Sequence, residues 1–238
     1  MKIIVFSDIH GNQYALSAGM DLMEQEDAER MFFLGDVFGY YYGQNECLDM
    51  LRGLDGLTCL QGNHEKLFLK LLSGCGNESE LVRKYGSSYR QITKITRGNI
   101  IFVKSWPEQM VMEIDGCRLG FFHGTPTAYT QGRLYPDTEI ENQEVYAPYD
   151  AVFLGHTHHK MCRQCGSTLI YNPGSLGQQR DGQGCSYIVF DTSTGQCEWR
   201  IVPYGLEQLL LEIDYYDMGM KKLREPLLRQ RGRWRLDG

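Results

Sequence analysis

A chain of 238 residues, 42% hydrophobic and 23% charged, is long enough for one full hydrophobic core and ordinary for a globular fold. Its net charge of −6 argues against the basic face that a nucleic-acid polymer demands, but not against a small anionic ligand met by bound cations. The opening apolar run, Ile3 to Phe6, is too short for an export signal or a membrane span. A cytoplasmic address is therefore expected, with the eight cysteines as reduced thiols.

Residues 3–6 predict a first buried strand, and residues 13–29 a helix with apolar spacing at Leu16, Met20 and Met23. Strands follow at 31–34 and 57–60, with helices at 45–52 and 65–72. This alternation implies right-handed crossovers between parallel strands. From residue 100 onward strands dominate and pairing becomes mixed, with apolar runs at 100–103, 110–114, 118–122, 151–154, 168–171 and 187–191. Residues 198–202 close a hairpin. Residues 206–213 read as a helix. Residues 220–235 carry Lys221, Lys222, Arg224, Arg229, Arg231, Arg233 and Arg235. They read as a solvated terminal helix with a frayed basic tail, or else as a docking segment for an acidic partner or RNA. Cys162 and Cys165 form a CxxC, which lacks the two further ligands a structural zinc site needs.

The informative pattern lies at the carboxyl ends of the strands. Asp8-Ile9-His10 comes after the first, Gly35-Asp36 after the second, and Gly62-Asn63-His64-Glu65 after the third. Later strands run into His123-Gly124 and Gly155-His156-Thr157-His158. Loops in this position line the ligand crevice of open α/β sheets. Five of the six histidines lie in these loops, and only His159 is left over. A lone histidine after a strand is usually structural, but five at equivalent positions beside Asp8, Asp36 and Asn63 point to a metal centre. Within Asp8-Ile9-His10 and His156-Thr157-His158, an extended backbone would aim residues two apart the same way. Imidazoles with carboxylates and no thiolate suit borderline ions such as Mn²⁺, Fe or Zn²⁺. A carboxylate can bridge two cations, and Asp36 is the central candidate.

In order, these five motifs resemble those of the calcineurin-like metallophosphoesterase superfamily, over residues 2 to about 191. The stretch Asn172 to Asp181 is similar to the small bacterial and archaeal branch of YfcE-type phosphodiesterases. The resemblance implies a four-layer α/β/β/α sandwich of two mixed sheets flanked by helices, over residues 1–204. Residues 205–238 would form a C-terminal helical extension with the basic tail. It further implies two divalent transition metal ions, foremost Mn²⁺, with Fe, Zn²⁺ or Ni²⁺ as alternatives. Asp8, His10, Asp36 and His158 would hold one. Asp36, Asn63, His123 and His156 would hold the other. His64 would stand beside them as the catalytic acid, while a hydroxide between the ions attacks phosphorus. Glu65 reads either as orienting His64 or as capping the helix it opens.

The implied substrate is a small phosphodiester, nucleotide-like, with a phosphomonoester as the alternative and a non-catalytic scaffold as a third reading. A homo-oligomer is compatible with the sequence, and a membrane partner is not expected. In the run Phe38-Gly39-Tyr40-Tyr41-Tyr42, aromatic faces such as Tyr40 can stack on a base or pack the loop onto the domain. Arg180 and Gln178 lie in a glycine-rich loop, where a guanidinium can pair with a phosphate in bidentate fashion.

Overall fold

Strand β1, Lys2–Phe6, sends its side chains in two directions. Ile4 and Phe6 enter a cluster roofed by helices, while Ile3 and Val5 enter a second cluster between two sheets. A strand buried on both faces must be apolar throughout, which is why this run shows no alternation.

The computed structural model describes residues 1–229. After β1 come α1 (Gln13–Met23), β2 (Arg30–Phe33), α2 (Gln44–Arg52), β3 (Leu57–Cys59), α3 (Asn63–Leu72) and α4 (Glu78–Tyr85). A 3-10 helix, Ser87–Lys94, and α5 (Arg97–Lys104) complete the first half. The second half runs β4 (Gln109–Ile114), β5 (Cys117–Phe122), β6 (Ala151–Leu154), β7 (Lys160–Cys165), β8 (Thr168–Pro173), β9 (Ser186–Asp191) and β10 (Cys197–Ile201). Helices α6 (Glu207–Tyr216) and α7 (Lys221–Leu228) come last.

The strands form two five-stranded sheets, ordered β10-β9-β1-β2-β3 and β4-β5-β6-β8-β7. Both are mixed. β1, β2 and β3 are parallel, as are β5, β6 and β8; β9 runs antiparallel to both β1 and β10, and the edge strands β4 and β7 run antiparallel to β5 and β8. The sheets meet through aromatic rings, with Phe32 stacked over Phe121 at 4.1 Å and Phe153 edge-on to Phe190 at 5.3 Å. Fully burying one such side chain is worth about 1.5–3 kcal/mol. Helices α1 to α5 cover the outer face of the first sheet through residues such as Leu16, Leu48, Phe68, Leu81 and Val103. Residues 124–150 cover the second sheet, laying Leu134, Ile140 and Tyr146 on Phe122, Val152 and Ile170. That layer is thin, and its helical turn is the 3-10 segment Gln143–Val145. The fold is thus the expected pair of mixed sheets flanked by helices.

Two local expectations are corrected, and one strand is added. Residues 100–103 are not a strand but part of α5, whose Thr96 cap accepts a hydrogen bond from the Asn99 N–H. The helical period shows in the burial of Asn99 and Val103 and the 60% exposure of Ile101. Helix α1 stops at Met23 rather than 29, because the Glu29 N–H bonds Lys2 O and draws the chain into the sheet. Cys162 and Cys165 sit on the added strand β7, which no apolar run announces, with Cys162 exposed and Cys165 buried. Residues three apart on a strand face opposite sides, so the pair cannot grip one ion. All eight cysteines are free.

The C-terminal helices are not simply solvated. Leu209, Ile213, Leu223 and Leu227 pack with Tyr41 and Tyr42 in a separate cluster. Of the basic tail, Arg231, Arg233 and Arg235 lie outside the described residues. Among those described, no helix is long and apolar enough to cross a membrane.

Candidate metal centre

Five strand ends converge on one crevice. Asp8 and His10 follow β1, Asp36 follows β2, and Asn63 and His64 open α3 after β3. His123 follows β5, and His156 and His158 follow β6, so both sheets contribute. The loops are tied by backbone hydrogen bonds, Asp8 N to Gly35 O and His10 N to Asp36 O, each 3.0 Å. His156 N donates to Asp8 Oδ2 at 3.0 Å, joining the second sheet to the first.

The backbone here is not extended as the spacing predicted. Asp8, His10, Asp36, His156 and His158 have φ of 58°, 53°, 65°, 65° and 60°. This left-handed region costs a non-glycine residue roughly 1–2 kcal/mol. Each tight turn swings its side chain into the crevice, and strain of this kind gathers at functional sites.

Hydrogen bonds to carbonyls fix three of the imidazoles. His10 Nδ1 donates to Phe38 O at 2.7 Å, His123 Nδ1 to Leu34 O at 3.1 Å, and His158 Nδ1 to Gln178 O at 2.6 Å. A carbonyl accepts only, so Nδ1 carries a proton and Nε2 is left free to face the crevice. His10 Nε2 and His158 Nε2 lie 3.0 Å apart. Asp8 Oδ1 is 3.1 Å from His158 Nε2 and 3.6 Å from His10 Nε2, yet this buried oxygen has no hydrogen-bond donor. On the other side, His123 Nε2 lies 3.1 Å from Asn63 Oδ1, 3.1 Å from His156 Nδ1 and 3.2 Å from Asp36 Oδ2. Three groups of donors therefore form, the ligand atoms of each lying within 4.8 Å of one another: Asp8, His10 and His158; His10, Asp36 and His64; and Asp36, His123 and His156. Nitrogen lone pairs and carboxylates packed this closely repel unless a cation or a proton lies between them. The donor set fits divalent transition ions.

Electrostatics agree. Burial opposes charge on His123, but the Asp36 carboxylate beside it outweighs this and pushes His123 up to about 9. Burial, then neighbouring His123, brings His156 down to about 4, and burial with Arg180 brings His158 down to about 3. Asp8 and Asp36 are likewise buried, yet the facing histidines hold both carboxylates below the usual range. The crevice holds two anions among mostly neutral imidazoles, which is a field for a cation.

His64 lies alongside with a different environment. Its backbone N–H donates to Asp36 Oδ1 at 2.8 Å, and its Nδ1 meets the Tyr89 hydroxyl at 2.7 Å. The Tyr85 ring stands edge-on at 4.5 Å, and Tyr40 lies 5.4 Å away. Burial lowers His64 well below an ordinary histidine. Glu65 is fully buried and caps α3, accepting from Gly62 N at 2.6 Å, as well as from Asp36 N at 2.7 Å and Val37 N at 2.8 Å. It does not touch the His64 ring by hydrogen bond; it clamps the Asp36 loop onto α3.

Arg180 Nη2 donates to Tyr40 OH at 3.0 Å and to Gln178 Oε1 at 2.8 Å. Tyr40 in turn stands 4.6 Å from the His10 ring. Gln178 orients His158 through its carbonyl, and its side chain braces Arg180. Tyr41 and Tyr42 pack inward, Tyr41 with no exposure, so these two anchor the loop rather than offer a stacking face. His159 bonds Thr157 O at 2.6 Å, a local structural role. Tyr85, Tyr89 and Asp217 were not foreseen; they come from segments that carry no motif.

A family model for the calcineurin-like phosphoesterase superfamily domain matches residues 1–195. The chain belongs to that superfamily. Among curated relatives of this phosphoesterase, the uncharacterized protein MJ0912 of Methanocaldococcus jannaschii is 31% identical, covering 87% of this chain and 89% of its own. Phosphodiesterase YfcE of Escherichia coli is 25% identical, over 80% of this chain and 88% of its own. In fold, the phosphoesterase matches the hypothetical protein PH1004 of Pyrococcus horikoshii with a TM-score of 0.80 at 16% identity, covering 94% and 96% of the two chains.

Proposed function

We propose that this phosphoesterase hydrolyses a phosphodiester of a small, nucleotide-like substrate, using two divalent transition metal ions, foremost Mn²⁺. One ion would be held by Asp8, His10, Asp36 and His158, and the other by Asp36, Asn63, His123 and His156, with Asp36 shared. The observation that carries this reading is the convergence of His10, His123 and His158, each with its Nδ1 proton committed to a carbonyl. When bound, two such ions lower the pKa of a water and offset charge on the phosphoryl oxygens.

The chain's own residues supply the remainder. His64 gives a proton to the departing ester oxygen; burial disfavours its charged form, and an anionic phosphate bound beside it restores that form. Arg180, held by Tyr40 and Gln178, pairs with a non-bridging phosphoryl oxygen. The similarity to phosphodiesterase YfcE favours a diester over a monoester. A cytoplasmic location fits eight free thiols. Residues 205–238 are read as an extension outside the catalytic core.

The test is hydrolysis of bis-p-nitrophenyl phosphate and p-nitrophenyl phosphate by Mn²⁺-loaded protein, then with chelator. Turnover of the diester that vanishes on chelation supports the reading. A clear preference for the monoester would turn it to a phosphatase, and turnover of neither would sink it.

A further inference from the structure

His64 sits in a pocket built from a part of the chain remote from the metal-type motifs. Its Nδ1 meets Tyr89 OH at 2.7 Å, and Tyr89 is only 2% exposed. Tyr89 rides on the 3-10 helix Ser87–Lys94, whose first residue is pinned by Asp217. Ser87 N donates to the Asp217 carboxylate at 2.9 Å and Ser87 Oγ at 2.8 Å. The Tyr42 hydroxyl donates to the same carboxylate at 2.8 Å. Asp217 caps α6, beyond the 195 residues that the family model matches. A second strut runs from the same extension, with Gln179 Nε2 donating to Pro226 O at 2.6 Å and Arg229 Nη1 to Arg180 O at 2.6 Å. The extension therefore grips both the segment behind His64 and the loop that carries Arg180.

We infer that Tyr89 is the positioning residue of His64, held in place by Asp217 of the C-terminal helices. The inference rests on the proposed phosphoesterase chemistry and deepens it. In the charged ring, Nδ1–H donates to the Tyr89 oxygen, and Nε2–H is aimed at the ester. As the phosphorus–oxygen bond breaks, the Nε2 proton passes to the departing oxygen, and the neutral ring keeps its Nδ1–H bond to Tyr89. The ring neither rotates nor changes tautomer during the transfer. A carboxylate in the same place would also orient the ring, but it would stabilise the imidazolium and weaken it as an acid. A hydroxyl fixes direction without adding charge. Tyr85 edge-on at 4.5 Å and the Gly39 backbone against Nδ1 close the remaining sides.

The test compares the full-length Mn²⁺-loaded wild type with Tyr89→Phe and Asp217→Ala on aryl phosphodiesters whose leaving phenols differ in acidity. Losing the positioned acid matters most where the leaving group is poor. Tyr89→Phe should keep its metal content and KM and lose kcat about tenfold more on phenyl than on p-nitrophenyl esters. Asp217→Ala should show the same pattern. Equal loss on all esters, or no loss, would overturn the inference. An independent readout is the ¹⁵N spectrum of the histidine rings in metal-free protein. The His64 Nδ1 resonance should move in Tyr89→Phe while the other five histidines hold still; an unmoved resonance overturns the contact. A wild type inactive on every ester would instead sink the functional reading, and the ¹⁵N result would still decide the pairing.

Discussion

His10 Nε2 and His158 Nε2 face each other at 3.0 Å, and each ring has already committed its Nδ1 proton to a backbone carbonyl. Two lone pairs so placed need a positive charge between them. Divalent metal should therefore stabilise the fold, by about 2.7 kcal/mol when free metal is a hundred times its Kd. Thermal unfolding with added Mn²⁺ or Zn²⁺ should show a rise in Tm that chelator reverses. In His158→Ala the rise should shrink, and an undiminished rise would remove His158 from the ligand set.

Metal entry should expel a proton. Asp36 keeps the His123 imidazole charged up to about 9 in the metal-free protein, above the ordinary 6.5 of a histidine. At pH 7.5 the ring must therefore give up a proton before Nε2 can bind a cation. Apparent affinity should fall about tenfold per pH unit below 9 through this group. Calorimetric titration in buffers of different ionisation enthalpy measures the release directly, and about one proton per chain is expected from His123. The same charge stabilises the metal-free fold below pH 6.5, and that contribution is lost as pH rises through about 9.

Asp36→Asn should cost both metals at once, because Asp36 stands in the donor groups on either side of the crevice. Metal analysis of the purified variant is expected to find less than one ion per chain. A variant keeping two would show that Asp36 does not bridge.

Gly39→Ala should damage turnover without emptying the site. A Cβ at this position would collide with the His64 ring, and the φ of 85° is one that L side chains rarely adopt. Turnover should fall by more than tenfold while metal content stays at the wild-type level, since general acid catalysis contributes about 10² or more. Normal turnover would place His64 outside the reaction.

Glu65→Ala should be among the most destabilising single changes. Three buried backbone N–H groups, of Gly62, Asp36 and Val37, lose their acceptor together. At about 1–3 kcal/mol for each unsatisfied group, a loss of about 3 kcal/mol or more is expected in urea unfolding. A loss under about 1 kcal/mol would mean that water replaces the carboxylate.

The candidate donor residues were legible because five strands, β1, β2, β3, β5 and β6, each run into a short motif, and strands declare themselves through apolar runs such as residues 3–6 and 151–154. The short run at 100–103 misled because four apolar residues fit a strand or one turn of helix alike, and only the Thr96 cap decides. Strand β7 was missed because it is an edge strand with polar Lys160, Arg163 and Gln164. The extended geometry foreseen for Asp8 and His10 failed because sequence does not reveal a left-handed φ outside glycine. Tyr89 and Asp217 were beyond reach for another reason. Their importance lies in tertiary contacts spanning 25 residues to His64 and 130 residues to Ser87, and no local pattern encodes those.

Dependence of hydrolysis on two metal ions is read from the rate of bis-p-nitrophenyl phosphate turnover as Mn²⁺ is titrated into metal-free protein. Activity should climb from zero and level off once two ions per chain are bound. A chain that stays inactive at every ratio, or that is fully active with one ion bound, does not work by two-metal hydrolysis.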